Sequence, residues 1–152
     1  VWGNVPPGLS YARSRIDGPQ GWSAGKNQVG EWMQFDFGET RSVVGVVVQP
    51  RKGSSGQYVK SYTVQHSVDG NKWVDMPGVF SGHKKDKKTS YFPAAVLARY
   101  LRLVVTAWQK HISMRADVLL CRAEDVNVGG REGGRGRVAL GGLDPGGSFV
   151  GR

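Results

Sequence analysis

Hydrophobic and polar residues alternate with a period of two over much of the first 121 positions of the chain. In the segment at 31–37, Met33, Phe35 and Phe37 are separated by single polar residues. Such alternation is typical of a β-strand, because successive side chains of a strand point to opposite faces of the sheet. The pattern recurs in three further sets: Tyr62, Val64 and His66; Tyr100, Leu101, Leu103 and Val105; Met114, Ala116, Val118 and Leu120. No segment carries a capped stripe of helical period, so the sequence predicts strands rather than helices.

A valine-rich segment and the turn-forming residues complete this pattern. Residues 42–49 are valine-rich without clean alternation, which is typical of a strand covered on both faces. Turn-forming residues separate the runs at 50–56, 69–71, 77–78 and 82–88. Asp69-Gly70 suits a tight hairpin between residues 62–67 and the strand that carries Trp73, because glycine accepts a positive φ. Short strands at about ten-residue spacing predict an antiparallel sandwich or barrel.

The composition changes after Cys121. Residues 122–152 hold ten of the 23 glycines and few apolar residues. Such a segment buries too little apolar surface to offset a backbone ordering cost of about 1–2 kcal/mol per residue. The sequence therefore predicts one folded domain at 1–121, followed by a flexible Gly/Arg-rich tail at 122–152.

The chain is strongly basic, with 21 Lys and Arg against 12 Asp and Glu and a net charge of +9. This charge favours anionic partners, namely acidic glycans, a phosphatidylserine-bearing surface or nucleic acid. The run at 83–88 holds four lysines, which suits sulfate or phosphate groups but is equally typical of a solvated loop. Nucleic acid is disfavoured because the aromatic residues lie in strands rather than among these lysines. No apolar run is long enough to cross a bilayer.

The sequence carries no recognisable catalytic set. His66, His83 and His111 lie on different segments and have no metal-ligand spacing. Cys121 has no accompanying histidine and asparagine that would mark it as a nucleophile. We therefore expect a non-enzymatic protein with no side-chain metal site.

Six ordered stretches resemble the discoidin domain, also called the coagulation factor V/VIII type C domain. They lie at 12–16 (ARSRI), 21–22 (GW), 31–37 (EWMQFDF), 67–73 (SVDGNKW), 98–103 (ARYLRL) and 108–121. The resemblance covers the whole chain except the tail. It implies an all-β fold of the galactose-binding-domain type, a distorted jelly-roll sandwich of about eight antiparallel strands. It also implies a non-catalytic adhesion or recognition module of extracellular or cell-surface proteins, with ligand-binding loops at one end.

Several polar residues are expected to support the scaffold. Asp36 alternates between aromatic neighbours, and a buried carboxylate requires a cation. In the family, the arginine that matches Arg15 is largely structural, so we expect Arg15 to lie close to Asp36. We further expect Arg115 with Asp117 to form part of a second polar support.

The resemblance also implies a role for Cys121. Family members begin with a cysteine that pairs with one at the end of the domain, and Cys121 matches the second of these. The first would lie upstream of residue 1, so the resemblance implies a domain whose N-terminal segment is missing here. The alternative is that Cys121 is a buried free thiol.

By resemblance, the ligand-binding loops lie near residues 5–9, after the Gly-Trp pair, at 51–57 and at 109–111. The candidate ligand-binding residues are Val5, Leu9, Trp22, Lys26, Asn27, Arg51, Lys52, Gln57, Lys110 and His111. Near an anionic membrane each cation contributes about 1 kcal/mol, so charge alone gives a weak association. Burial of Val5 and Leu9 would add about 1.5–3 kcal/mol each. The loop at 51–57 is cationic and has no apolar residue.

Three kinds of ligand remain open. The leading interpretation is an anionic surface ligand, either phospholipid or acidic glycan. The second is a carbohydrate-binding module attached to a glycan-active enzyme, in which Trp22, Asn27, Gln57 and His111 hydrogen-bond and stack on a sugar. The third is adhesion to collagen or another extracellular protein. One family branch captures a C-terminal arginine with an acidic residue, but Asn27 occupies that position and cannot supply the charge.

No cofactor is expected, with one exception left open. Some branches of the family hold a structural calcium ion through backbone carbonyls. A sequence does not reveal such ligands, so the resemblance leaves calcium undecided.

Overall fold

Nine β-strands make up the described part of this protein. The computed structural model describes residues 14–53, 56–121, 138–141 and 149–151, and within them it contains strands and no helix. The strands are β1 (Trp22–Ser23), β2 (Trp32–Gln49), β3 (Tyr58–Ser67), β4 (Val74–Asp75), β5 (Phe80–Ser81), β6 (Lys88–Gln109), β7 (Ser113–Cys121), β8 (Val138–Gly141) and β9 (Phe149–Gly151). All of their pairings are antiparallel. The all-β, antiparallel jelly-roll class expected from the sequence is confirmed.

Two long strands form the centre of the sheet. The strand order is β1-β7-β2-β6-β3-β4, with β5 also paired to β3. The first part of β2 pairs with the end of β6, and its second part pairs with the start of β6 and with β7. The register shifts between Asp36 and Arg41 and again between Val43 and Gly45. Such irregularities bend a strand, so β2 and β6 curve around the core.

The core is built from the side chains that the two-residue period predicted to point inward. Met33 and Phe35 of β2 are buried, as are Tyr62 and Val64 of β3. Alternate residues of β6 lie beside them on the same face, because Leu103 pairs with both Met33 and Val64. Alternate residues of β7 join the same core, whose members from these two strands are Leu101, Leu103, Val105, Met114, Ala116 and Val118. The predicted inward faces are confirmed at these positions, whereas His66 is only half buried. Partial burial lowers the pKa of His66, because it disfavours the charged imidazolium.

The second part of β2 is covered on both faces, as the valine-rich pattern predicted. Val46, Val47 and Val48 are consecutive and all buried. At Gly45 an added Cβ would lie 2.5 Å from the carbonyl oxygen of Ser90 and 3.2 Å from the Cα of Tyr91. This close approach of the β6 backbone leaves room for glycine alone.

The predicted hairpin at Asp69-Gly70 is present, with a longer loop than expected. The register pairs His66 with Val74, so Trp73 lies just before β4 rather than in it. Oδ1 of Asp69 accepts hydrogen bonds from the backbone N–H groups of Asn71 and Lys72. These bonds lower the pKa of Asp69, and Gly70 adopts a φ of +79°. The carboxylate and the glycine together define the turn.

Asp36 is held by a different cation from the one that the sequence suggested. Its side chain lies on the face of β2 opposite to Met33 and Phe35, and it accepts a hydrogen bond from Nε of Arg99 at 3.0 Å. The strand period explains this, because residue 36 alternates with the two buried positions. The carboxylate raises the pKa of Arg99 through this hydrogen bond.

The expectation that Arg15 lies close to Asp36 is wrong. The carbonyl oxygen of Ser14 accepts the N–H of Ala116, which places this segment beside β7. Asp117 of β7 faces Val47, eleven positions along β2 from Asp36. Opposite charges lie near one another along this junction, because Arg15 lowers the pKa of Asp117 and Asp17 raises that of Arg115, each against the larger effect of burial. A second polar support therefore exists, with partners other than those predicted.

Arg115 anchors two backbone segments. Its side chain is buried, and it donates from Nε to the carbonyl oxygen of Pro50 (2.9 Å) and from Nη1 to that of Gly18 (2.7 Å). The expected partner Asp117 instead accepts the N–H of Val118. Burial raises the pKa of Asp117 and lowers that of Arg115, because both charged forms lose solvation.

The structure describes seven residues of the predicted tail. Strand β8 pairs with β7 along Val118–Cys121, and β9 pairs with β2 along Met33–Phe35. The sequence predicted that these residues belong to a flexible tail, whereas in the structure they form paired strands. Cys121 is half buried and forms no disulfide with a described residue, so its pairing with an upstream cysteine stays a prediction. The described residues include no helix that could cross a bilayer.

A ladder of aromatic and arginine side chains covers one outer face of the sheet. The guanidinium of Arg102 lies between the rings of Trp32 (4.2 Å) and Trp73 (3.7 Å). Its Nε donates to Oε1 of Gln34 at 2.8 Å, and Tyr100 packs beside Trp73. Arg102 thus joins β2, β6 and the residue that leads into β4.

We expect Arg102→Ala to lower the free energy of unfolding by about 1–3 kcal/mol, because each cation–π contact contributes roughly 0.5–2 kcal/mol. Arg102→Lys should recover only part of this loss, since an ammonium cannot stack between two planes. Urea denaturation monitored by tryptophan fluorescence measures both. Lys72→Ala, in the exposed loop of the same hairpin, is the control and should have little effect. A loss within 0.5 kcal/mol for Arg102→Ala would contradict this role.

Candidate functional site

Three connections meet at one end of the sandwich. They are residues 24–31 between β1 and β2, residues 50–57 between β2 and β3 (of which 54–55 lie outside the described part), and residues 110–112 between β6 and β7. The register brings them together, because Trp22 pairs with Met114 and Tyr58 pairs with Gln109. We call this region the loop end.

Asn27 and His111 form the polar centre of the loop end. Oδ1 of Asn27 accepts the backbone N–H of Ile112 at 2.9 Å, so its amide nitrogen faces Nδ1 of His111, also at 2.9 Å. An amide nitrogen only donates, so Nδ1 of His111 must accept. The ring proton of the neutral imidazole then lies on Nε2, where it can be donated to a ligand.

All three connections of the loop end carry cations. The side chain of Lys110 passes over Gly56, with Nζ 3.9 Å from the position that a Cβ would take there. Lys110 has a φ of +58°, an uncommon conformation for a residue with a side chain. The stem of Arg51 packs against Gly21, where an added Cβ would lie 3.1 Å from Cγ. Lys26 and Lys52 are exposed. The loop end therefore combines positive charge with oriented hydrogen-bond donors.

Gln57 adds an acceptor at the base of the same region. Its Oε1 is buried, and no described residue donates a hydrogen bond to it. A buried amide oxygen without a donor is costly, which makes this atom a candidate contact for a ligand hydroxyl.

Trp22 is not a ligand-facing residue. It is 0% exposed and belongs to the hydrophobic core, packed from β1. The sequence placed it at the binding loops because it precedes the turn at 24–31, but its pairing with Met114 directs the side chain inward. Val5 and Leu9, the other predicted apolar contacts, lie outside the described residues.

One exposed apolar side chain at the loop end was not predicted. Val29 is 67% exposed, on the same connection as Lys26 and Asn27. A valine within an otherwise polar turn is the signal that would have identified it. Among residues 14–53 and 56–121, no three His, Cys, Asp or Glu side chains cluster as metal ligands.

Comparisons with solved structures agree with this architecture. Discoidin II from Dictyostelium discoideum superposes with a TM-score of 0.65 at 21% identity, covering 77% of this chain and 47% of that one. CpGH89CBM32-5 from Clostridium perfringens, solved in complex with GalNAc-β-1,3-galactose, superposes with a TM-score of 0.62 at 19% identity, covering 70% of this chain and 81% of that one. At such identities the likeness concerns the fold.

Sequence comparisons identify the family. Neuropilin-1 of Gallus gallus is 33% identical over 135 residues, which are 82% of this chain and 15% of that protein. Lactadherin of Mus musculus is 35% identical over 108 residues, which are 66% of this chain and 23% of that protein. The chain thus spans less than a quarter of either relative. The localisation expected from the resemblance, extracellular or cell surface, is confirmed by these relatives. The F5/8 type C domain model matches residues 7–118, and the chain therefore belongs to the F5/8 type C, or discoidin, domain family.

Proposed function

We propose that this domain is a non-catalytic recognition module that binds an anionic ligand outside the cell through its loop end. The observation that supports this most directly is that the connections of the loop end carry Lys110, Arg51 and Lys52 as well as the hydrogen-bonded pair of Asn27 and His111. A rigid strand framework that carries such loops is suited to attachment, because the loops vary without disturbing the core.

The chemistry favours one charged group held by several donors. A cation near an anionic surface contributes about 1 kcal/mol, so three of them give only weak binding. A hydrogen bond to a charged group contributes about 1.5–3 kcal/mol, and Nε2 of His111 is placed to donate one. A phosphate, sulfate or carboxylate suits both interactions.

Insertion of apolar side chains into a bilayer would contribute less binding free energy at the described loops than polar contacts do. Val29 is the large apolar residue exposed on them, and its full burial would contribute about 1.5–3 kcal/mol at most. Residues 50–53 and 56–57 expose no large apolar side chain. The proposal therefore places recognition mainly in polar capture of a headgroup or an acidic sugar.

A carbohydrate-binding module attached to a glycan-active enzyme is the second candidate. Its support is the likeness in fold to CpGH89CBM32-5, which was solved with a bound disaccharide. Asn27, His111 and Gln57 could hydrogen-bond to sugar hydroxyls, but the buried Trp22 offers no surface on which a sugar could stack. Adhesion to collagen or another protein has no distinguishing residue at the loop end.

The double substitution Arg51→Ala/Lys52→Ala tests the proposal. We expect it to weaken binding to phosphatidylserine vesicles or to acidic members of a glycan array by about tenfold or more, the equivalent of 1.4 kcal/mol. Lys72→Ala/Arg41→Ala removes the same charge away from the loop end and should leave binding nearly unchanged. Equal binding by all three proteins, or binding of neutral sugars alone, would contradict the proposal.

A further inference from the structure

The lysine-rich connection at 82–88 lies against the loop end. Gly82 donates its N–H to the carbonyl oxygen of Lys60, beside the start of β3. An added Cβ at Gly82 would lie 2.1 Å from the carbonyl oxygen of Val59 and 3.9 Å from Cγ2 of Val48. The connection ends at Lys88, which also pairs with Val48. Residues 82–88 therefore cross the sandwich at the point where β2 leads into residues 50–57.

Local contacts fix the conformation of this connection. Nδ1 of His83 accepts the backbone N–H groups of Lys85 (3.3 Å) and Asp86 (2.9 Å). Lys87 forms an ion pair with Asp17, and the backbone N–H of Asp17 donates to Oε1 of Gln49. These contacts attach the connection to the end of β2, next to Pro50 and Arg51. A loop held in this way loses less conformational entropy when a ligand binds.

Cations from four parts of the chain accumulate here. We call this set the basic surface; its members are Arg51, Lys52, Lys60, Lys84, Lys85, Lys87, Lys88 and Lys110. Asp17 and Asp86 are the acidic residues that the contacts above place among them. The sequence separates these cations by up to 59 positions, and the contacts of residues 82–88 with Lys60 and with the end of β2 bring three of the four parts together. Lys110 is on the fourth, at the loop end. Neighbouring like charges within a screening length of about 8 Å reinforce the local potential.

We propose that the basic surface binds a linear sulfated polysaccharide chain, which runs from the loop end across residues 82–88 towards Lys60. This rests on the proposed function in that the ligand is anionic, and it specifies the ligand as an extended chain. The shape supports this occupant, because Lys60 and the connection lie on the flank, where a flat bilayer that touches the tips does not reach. Neither residues 50–53 nor residues 82–88 expose a large apolar or aromatic side chain that could insert into a bilayer or stack on a nucleic-acid base.

Heparin binding of the whole chain at several salt concentrations tests this inference. For polyanions the slope of log K against log salt changes by about 0.7–0.9 for each cation that contacts the ligand. We expect Lys84→Ala/Lys85→Ala to reduce that slope by about 1.4–1.8 and to weaken heparin binding at least tenfold. Lys72→Ala/Arg41→Ala should retain the salt dependence and the heparin affinity of the wild type. Thermal unfolding of all variants should show that these exposed substitutions leave the fold intact.

Chain length and sulfation distinguish the extended surface from the loop end alone. Affinity should rise with the length of heparin oligosaccharides in the wild type and rise less in Lys84→Ala/Lys85→Ala, and desulfated heparin should bind weakly. Unchanged heparin binding in that variant, or equal binding of desulfated heparin, would overturn the inference. The inference would also be overturned if duplex DNA or phosphatidylserine vesicles bound as tightly as heparin and their binding weakened equally in Lys84→Ala/Lys85→Ala.

The two proposals fail in different ways. A loss confined to Arg51→Ala/Lys52→Ala supports the loop-end function and overturns the extended surface. The opposite result is that only Lys84→Ala/Lys85→Ala weakens heparin binding, while Arg51→Ala/Lys52→Ala binds every anionic ligand as the wild type does. That result supports the extended surface and contradicts the proposed function.

Discussion

Trp22→Ala is expected to lower the free energy of unfolding by about 3–5 kcal/mol, the usual cost of removing a large aromatic side chain from a core. Trp22 is fully buried among residues of several strands, although it belongs to a strand of only two residues. Its removal leaves a cavity beneath the connection at 24–31 and releases β1 from β7. Chemical denaturation followed by circular dichroism measures the loss.

Val29→Ala provides the matched control for this substitution. It removes apolar atoms from the same connection, at a side chain that is 67% exposed, and should change stability by less than about 0.5 kcal/mol. If Trp22→Ala retained wild-type stability and lost only ligand binding, Trp22 would be a ligand contact and the packing described here would be wrong.

Arg115→Met is expected to lower the free energy of unfolding by about 3 kcal/mol, because two carbonyl oxygens lose a charged donor that contributes about 1.5–3 kcal/mol per bond. Methionine fills a similar volume and therefore separates the loss of hydrogen bonds from the loss of packing. Those carbonyls belong to Pro50 and Gly18, so the change also frees the start of residues 50–57. Binding of anionic ligands should weaken in proportion to the disorder of that loop.

Arg115→Lys is the informative comparison. Lysine keeps the positive charge but lacks the planar fork that reaches both carbonyls, so it should restore only part of the stability. Hydrogen exchange of the amides at 51–53 reports whether the loop has become mobile. Wild-type stability and exchange in Arg115→Met would show that the guanidinium does not anchor the loop.

The basic surface and the loop end are joined through residues 50–57. Residues 50–57 connect to both, through Arg115 at Pro50 and through the tie between Asp17, Gln49 and Lys87. A substitution that loosens residues 50–53 should therefore weaken short anionic ligands and sulfated chains together. A substitution in residues 83–88 should affect only the longer ligand.

Local sequence patterns were sufficient for the long strands and for the hairpin, but not for β8 and β9 in the predicted tail. The alternation at 33–37, the continuous valines at 46–48 and the Asp69-Gly70 turn each depend on neighbours close in sequence. The presence of Asn27 and His111 at the binding loops was inferred from family resemblance. Their hydrogen bond could not be predicted, because it joins residues 84 positions apart.

Ion-pair partners were harder to predict than strands. Asp36 was expected to pair with Arg15 and pairs with Arg99, because the register sets Asp36 opposite Tyr100 and so brings the preceding residue of β6 within reach. Arg115 was expected to pair with Asp117 and instead bonds to two carbonyls. The residues in need of partners were identified correctly, whereas the identity of each partner depended on strand bending and pairing.

The sequence by itself determined an antiparallel all-β domain that is strongly basic, because periodicity, turn chemistry and charge are local properties of the chain. Its ordered motifs indicated the discoidin family by resemblance. Only the tertiary structure decided that Trp22 faces the core and that Lys87 and Lys88 lie at the end of β2, next to the connection at 50–57. Those outcomes follow from the pairing of strands remote in sequence, where one residue of register exchanges the inner and outer faces of a strand.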